Sequence, residues 1–227
     1  MQRGPAVIAS TAQPVEIPVA RGALEGDLRL PVGARGLVIF AHGSGSSRFS
    51  PRNRHVAEFL DAQGFATLLL DLLTSHEEAI DSHTMEYRFD IPRLGARLTA
   101  ALDWASRREA LCGLRLGLFG ASTGAAATLV AAAYRPDLVR AIVSRGGRPD
   151  LANDALERVA APTLLIVGGE DTPVIDMNRD AMQQMKAAHV EIEIVRGATH
   201  LFEEPGALDD VERLASHWFA RYLAPTR

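Results

Sequence analysis

Apolar residues along the chain fall into short, almost continuous runs from residue 36 onward. The runs occupy residues 36–42, 65–71, 114–120, 139–145 and 162–168, and a more alternating run follows at 190–195. Strands that are buried on both faces of a parallel sheet have this continuous pattern, whereas strands with one solvated face alternate. The pattern therefore predicts six strands, most of them at the centre of a sheet.

Longer segments with helical spacing separate these runs. They cover residues 52–64, 91–110, 122–136, 176–189 and 208–223. Because strands and helices alternate, the sequence predicts a mostly parallel sheet with helices on both faces. Residues 74–90, TSHEEAIDSHTMEYRFD, are interpreted as a solvated loop.

Residues 15–31 have a different pattern, in which apolar and polar positions alternate on both sides of Arg21-Gly22. This pattern is typical of an antiparallel hairpin with one covered face. No repeat, low-complexity tract or linker divides the chain, and 227 residues suit one domain with a full core. We therefore expect a single domain over residues 1–227.

The overall composition excludes several classes of protein. Hydrophobic residues make up 47% and charged residues 23%, and the net charge of −4 gives no electrostatic basis for binding nucleic acid or an anionic membrane. The single cysteine, Cys112, cannot form an internal disulfide and fits a reducing compartment. No apolar run is long enough to span a bilayer, and residues 1–20 lack the apolar core of a signal peptide. The sequence therefore predicts a soluble, cytoplasmic protein.

Three chemically active side chains follow three of the predicted strands. Ser122 comes after residues 114–120, Asp171 after 162–168, and His200 after 190–195. Functional groups of an open parallel sheet collect at the carboxyl ends of its strands. A histidine can take the proton of a serine hydroxyl, and a carboxylate on its other ring nitrogen fixes the tautomer and stabilises the charged ring. The order Ser, Asp, His therefore predicts a catalytic triad.

The residues around Ser122 suit a nucleophile. Gly120 and Gly124 remove side chains that would clash in a sharp turn from strand to helix, although small residues there also suit close packing. An oxyanion hole would take one backbone N–H from Thr123 and a second from the glycine-rich segment after the first parallel strand. Ser44 is the candidate for the second donor, with Gly45 as the alternative.

Other assignments of these and neighbouring residues stay open or are less favoured. Glu170 competes with Asp171 for the acidic role, and Asp171 is also suited to cap a helix. His42 is expected to shape its turn. The remaining histidines are expected to be ordinary surface, core or loop residues: His55, His76, His83, His189 and His217. No cluster has the spacing of a metal site, and the glycines near residue 120 do not form a dinucleotide fingerprint.

Four motifs carry a resemblance to a known family: AHGSGSS at 41–47, GASTG at 120–124, VGGEDTPV at 167–174 and GATHLF at 197–202. With them, nearly the whole chain resembles an α/β-hydrolase, most of all the compact dienelactone hydrolase-like branch. The resemblance implies hydrolysis through an acyl-enzyme without a metal or organic cofactor. The enzymes that name the branch have a cysteine nucleophile, so Ser122 favours serine esterase chemistry and puts the diene-lactone substrate in doubt.

The chain gives limited information about the substrate. Residues 145–162 leave room for one short helix but for no cap domain, which predicts an open site for small, soluble substrates. Arg145 and Arg148 are candidates for holding a substrate carboxylate, but ion pairs with Asp150 or Glu170 are favoured. The segment SRFSPRNR raises the same possibility for Arg48, Arg52 and Arg54, but a solvated helix start is favoured there.

These observations predict a Ser-His-Asp hydrolase of small carboxylic esters or lactones. The same triad is also suited to acyl transfer, thioester cleavage or peptide cleavage. A non-catalytic small-molecule-binding protein on the same fold is the more distant alternative, and the presence of all three side chains argues against it.

Overall fold

The computed structural model describes residues 10–224, and part of the N-terminal segment considered above, residues 1–9, lies outside that range. Its sheet has eight strands in the order β1-β2-β4-β3-β5-β6-β7-β8. The strands are β1 Gln13–Val19, β2 Gly22–Arg29, β3 Leu37–Ala41, β4 Ala66–Leu70, β5 Leu116–Ala121, β6 Val139–Arg145, β7 Thr163–Gly168 and β8 Val190–Val195. Strands β3 to β8 are parallel, and β2 is antiparallel to both β1 and β4. The predicted hairpin and parallel sheet are confirmed.

Helices cover both faces of the sheet. They are α1 Pro51–Ala62, α2 Ser75–Thr84, α3 Ile91–Arg107, α4 Thr123–Tyr134, α5 Thr172–Gln184 and α6 Ala207–Leu223. Short 3-10 segments cover Glu109–Leu111 and Pro149–Arg158. Strand β3 contributes side chains to the hydrophobic core on each face of the sheet. Leu37 and Ile39 pack with α3 and α4 on one face. Val38 and Phe40 pack with α1 and α6 on the other. Each such buried side chain stabilises the fold by about 1.5–3 kcal/mol.

Helix α4 is buried over ten consecutive residues, 123–132, and consists largely of small side chains. It lies so close to α3 that a Cβ atom on Gly95 would be 2.4 Å from the Val130 Cγ1 atom. The small residues therefore serve packing as well as chemistry. They bring α4 against the sheet and against its neighbour helix, which fixes the position of the helix N-terminus.

The interpretation of residues 74–90 as a loop is wrong, because α2 occupies Ser75–Thr84. The helix begins with a capping box, in which the Thr74 hydroxyl accepts from the Glu77 N–H and the Glu77 carboxylate accepts from the Thr74 N–H. Glu77 and Asp81 are its buried side chains, and both accept hydrogen bonds from arginines. Because a charged face points inward, the hydrophobic spacing that marks other helices is missing.

Helix α5 also differs from its prediction, since it begins at Thr172 and ends at Gln184. Pro173 stands in its first turn, where a missing N–H has no cost. The segment between β6 and β7 holds only the 3-10 turns of Pro149–Arg158, so the expectation of no cap domain is confirmed. Within residues 10–224, no helix has the length and apolar character needed to cross a membrane.

Candidate active site

Ser122 stands at a sharp turn between the end of β5 and the start of α4. Its backbone angles are φ 51° and ψ −123°, a strained conformation for a residue with a side chain. A Cβ atom on Gly120 would lie 2.5 Å from the Cα atom of Ala125, so only glycine allows the turn to close. The turn places Ser122 just beyond the carboxyl end of β5, as a nucleophile elbow requires.

Asp171 and His200 come together at the same carboxyl end of the sheet. Asp171 follows β7 and His200 follows β8, and the His200 Nδ1 atom lies 2.7 Å from the Asp171 Oδ2 atom. The Asp171 side chain makes no capping hydrogen bond to α5, so its carboxylate serves the histidine and not the helix. Side-chain exposure is 15% for Asp171 and 38% for His200, which keeps the pair partly shielded and leaves the ring accessible. This geometry orients an imidazole for proton transfer.

A cavity of about 250 Å³ contains Ser122 and His200 in its wall. Its other lining residues are Gly43, Ser44, Ser46, Ser50, Arg52, Asn53, Ala121, Arg145, Gly146 and Leu201. In the described part of the chain, no hydrogen bond joins the Ser122 hydroxyl to His200. The contact between a catalytic serine and its histidine is often longer before substrate binds. The structure therefore brings the three predicted triad residues to one site that has room for a small substrate.

The candidate oxyanion donors lie beside the nucleophile. Thr123 begins α4, so its N–H belongs to the free donors of a helix N-terminus. The Ser44 N–H donates to the Thr123 hydroxyl at 2.8 Å, and an oxyanion would have to share or replace this acceptor. Ser44 lines the cavity that contains Ser122, whereas Gly45 lines only a small adjacent cavity, which Ser44 also borders. Location therefore favours Ser44, and its role stays a prediction.

The two arginines predicted as substrate contacts have different surroundings. Arg148 donates to both carboxylate oxygens of Asp150 at 2.9 and 2.7 Å, and this hydrogen bonding raises the pKa of Arg148. It makes the ion pair that the sequence favoured, and it does not line the cavity. Arg145 lines the cavity, is 7% exposed and makes no ion pair within the described residues.

Asn53, which the sequence did not single out, also lines the cavity, as does Arg52, for which a solvated helix start was favoured over a substrate contact. Both lie in the first turn of α1, where Ser50 caps the helix by accepting from the Asn53 N–H. The sequence signal that could have found them is this Ser-Pro helix start, since it follows directly from the glycine-rich segment beside Ser122.

His42 lies in the turn after β3, as its position in the sequence suggested, and it does not line the cavity that contains Ser122. Its Nδ1 atom lies 2.9 Å from the Gly43 carbonyl oxygen, and its Nε2 atom accepts from the Leu72 N–H at 3.1 Å. These two contacts require a neutral ring with the proton on Nδ1. Burial lowers the pKa of His42 below the ordinary 6.5, which further favours that neutral form.

Changing His42 to glutamine is expected to destabilise the fold and to weaken its acid sensitivity. The folded chain binds a proton at His42 less readily than the unfolded chain, so this residue lowers stability as pH falls below about 6.5. We expect the variant to lose about 1–3 kcal/mol at pH 8, because the Leu72 N–H loses its acceptor geometry. The free energy of unfolding, measured with urea from pH 8 to pH 5, should then fall less in the variant than in the unchanged chain. The exposed His217, changed to glutamine, is the control, and parallel curves for all three proteins would contradict the assignment.

The fold brings together, elsewhere on the surface, three side chains of metal-ligating types that are far apart in the sequence. His55 of α1 and Asp209 and Glu212 of α6 place one potential ligand atom each within 4.8 Å of one another. The His55 Nε2 atom is 3.0 Å from Glu212 and 3.7 Å from Asp209, so the three side chains already pair among themselves. They do not line the cavity that contains Ser122.

The fold is similar to that of solved hydrolases. A crystal structure of dienelactone hydrolase from Anabaena variabilis is 56% identical, with a TM-score of 0.93, over 95% of this chain and 100% of that chain. The structure of Est1E from Butyrivibrio proteoclasticus has 18% identity and a TM-score of 0.75, over 92% of this chain and 98% of that chain. The second likeness concerns the fold alone.

A curated relative carries a different name. A protein of Mycobacterium tuberculosis, provisionally named a phosphoribosyl transferase, is 52% identical over 207 residues. The match covers 91% of this chain but only 44% of that protein, so the chain spans less than half the length of this relative. The sequence profile of the Dienelactone hydrolase family matches residues 24–223, which is most of the chain. The protein therefore belongs to the dienelactone hydrolase family.

Proposed function

We propose that this protein is a serine hydrolase that cleaves small, soluble carboxylic esters or lactones. The observation that carries the proposal is the His200–Asp171 contact of 2.7 Å at the cavity that Ser122 also lines. Membership of the dienelactone hydrolase family supports hydrolysis as the reaction class. The ester and lactone preference rests on the serine nucleophile and on the small, uncapped cavity.

The residues divide the reaction among them. His200 takes the proton of the Ser122 hydroxyl through Nε2 as the oxygen attacks the substrate carbonyl, and Asp171 stabilises the charged ring. The backbone N–H groups of Thr123 and Ser44 stabilise the negative oxygen that forms. His200 then gives its proton to the leaving alcohol, and water releases the acyl group from Ser122 by the same route.

The surroundings of the cavity support a small substrate. A volume of about 250 Å³ is below the range of drug-sized ligand pockets. The neighbouring 3-10 segment is too short to form a cap over a long lipid chain. The exposed, unpaired Cys112 fits a reducing compartment, so we propose a cytoplasmic location.

Other acyl reactions of the same triad, and phosphoribosyl transfer, are the alternatives to ester hydrolysis. Acyl transfer, thioester cleavage or peptide cleavage would use the same three side chains, and competing nucleophiles distinguish them by their products. The name of the mycobacterial relative suggests phosphoribosyl transfer, but more than half of that protein lies outside the match. The Ser-His-Asp arrangement supports acyl chemistry for this chain.

Labelling with a fluorophosphonate tests the proposal. Such a probe reacts with an activated serine, so mass spectrometry should find a single adduct on Ser122 of the unchanged protein. Ser122→Ala with an unchanged circular dichroism spectrum should carry no adduct. An adduct confined to another serine, or none on the folded protein, would overturn the assignment of Ser122. A screen of short esters, lactones and thioesters then identifies the acyl chemistry.

A further inference from the structure

The cavity beside Ser122 has a positively charged wall. Arg52 and Arg145 both line it, and its described lining residues include no aspartate or glutamate. Ser46 and Ser50 line the same cavity. A small cavity with two guanidinium groups and no acid has the electrostatic character of an anion site.

Arg145 is the decisive residue, because it is buried without a counter-charge. Arg145 is the last residue of β6 and is 7% exposed. Its Nε and Nη1 atoms have no acceptor in the described structure, and Nη2 makes only a long contact of 3.4 Å to the Asn53 Oδ1 atom. Its guanidinium carbon lies 5.9 Å from the centre of the Phe202 ring. The N–H groups on Nε and Nη1 are therefore buried and unused, in a residue that lines the cavity.

A buried charge without a partner lowers the stability of the folded protein. Burial and the nearby positive charge of Arg52 lower the pKa of Arg145 to about 10, so the side chain still carries its charge at neutral pH. Proteins seldom bury a cation unless an anion or several acceptors compensate it. Since residues 10–224 supply neither here, an anionic ligand is the natural compensation.

Arg52 extends the same site toward solvent. Its Nη1 atom donates to Glu203 at 2.9 Å, in an ion pair whose Glu203 side chain is well exposed. Its Nε atom has no acceptor among residues 10–224. An exposed ion pair is worth little in water, so Arg52 can exchange Glu203 for a ligand anion at low cost.

We propose that this cavity selects substrates that carry a small anionic group, a carboxylate or a phosphate, and holds that group on Arg145 with help from Arg52. Arg145 then fixes the anion while the ester or lactone carbonyl faces Ser122, which makes it a specificity-determining residue. The kinetic half of this proposal rests on the proposed hydrolase function. Anion binding itself does not.

Thermal unfolding with added anions tests binding independently of turnover. Succinate and inorganic phosphate are the two probes, and neutral succinamide is the matched control. We expect at least one anion to raise the unfolding temperature of the unchanged protein and not that of Arg145→Gln. Arg54→Gln should keep the shift, because Arg54 is on the same helix as Arg52 but pairs with Asp27 at 3.3 Å. Removing the buried charge should leave the unliganded Arg145→Gln protein at least as stable as the unchanged one.

Paired esters test specificity. The 4-nitrophenyl monoester of succinic acid carries a carboxylate, its methyl diester is the neutral counterpart, and a 4-nitrophenyl phosphonopropionate supplies the phosphate-like group. Arg145→Gln is expected to lower kcat/KM for the preferred anionic ester by at least about 30-fold and to change the neutral ester by less than about three-fold. The preference between the two anionic esters distinguishes a carboxylate from a phosphate.

The two experiments separate the possible failures. An adduct on Ser122 and turnover of the neutral ester, without anion binding and without an effect of Arg145→Gln on the anionic ester, would overturn the anion site and leave the hydrolase intact. Anion binding that depends on Arg145 in a protein without esterase activity would support the site and count against the hydrolase. If Arg145→Gln fails to fold, the more exposed Arg52→Gln takes its place, and unchanged binding and kinetics there would contradict the proposal.

Discussion

Changing Asp171 to asparagine is expected to lower kcat for ester hydrolysis by about 10⁴-fold. The Asp171 carboxylate accepts a hydrogen bond from His200 Nδ1 at 2.7 Å, which leaves Nε2 free to take the serine proton. An asparagine side chain can donate its amide N–H to Nδ1, and the ring then holds its proton on Nε2, where it cannot act as a base. Initial rates with the preferred ester, measured from pH 6 to pH 9, check the expected loss.

Glu170→Gln is the matched control for this prediction. Glu170 is the neighbouring acid that the sequence left as an alternative, and its exposed side chain makes no hydrogen bond or ion pair with His200 in the described structure. We expect its kcat to stay within about two-fold of the unchanged protein. A large loss in Glu170→Gln together with a small loss in Asp171→Asn would reverse the assignment. Far-UV circular dichroism of both variants ensures that the fold is intact.

The sheet and its order of chemistry were predictable because they rest on local pattern. Runs such as residues 37–41 and 163–168 are wholly buried in the structure, and a continuous apolar run has few other solutions. The carboxyl ends of parallel strands lie at the same end of the sheet, so the sequence alone groups Ser122, Asp171 and His200. The sequence favours Asp171 over Glu170 as the partner of His200, but it does not give the 2.7 Å contact, because the direction of each side chain depends on the geometry of the turn.

The missed features share a physical cause, which is that polar residues point inward. Helix α2 buries Glu77 and Asp81 on arginines, and Arg145 is buried with unused donors. Hydrophobic periodicity assigns charged residues to the surface, so it mistakes such an element for a loop and such an arginine for half of a surface ion pair. The capping box of Thr74 and Glu77 was a sequence signal for α2. No comparable local pattern reports that a buried cation lacks a partner.

Gly124 explains how packing and chemistry meet at the nucleophile turn. It lies in the first turn of α4, and a Cβ atom there would be 2.4 Å from the His42 carbonyl oxygen and 2.5 Å from the Ala41 carbonyl oxygen. Both neighbours are backbone atoms at the end of β3, where the segment with the Ser44 amide begins. The missing side chain therefore lets the start of α4 and the candidate oxyanion donors lie side by side.

Changing Gly124 to alanine is expected to destabilise the protein by more than about 3 kcal/mol, because backbone contacts below 3 Å cannot be relieved by a rotamer change. Alanine is favoured over glycine within a helix by up to about 1 kcal/mol, so the contact term has to exceed this gain. Gly113→Ala is the control, since Gly113 has φ +83° and open space around it and should lose only about 1–2 kcal/mol through backbone strain. Urea and thermal unfolding measure both variants. A Gly124→Ala protein as stable as Gly113→Ala, with kcat unchanged, would show that α4 can retreat from β3 without disturbing the site, and the close approach would then have no part in catalysis.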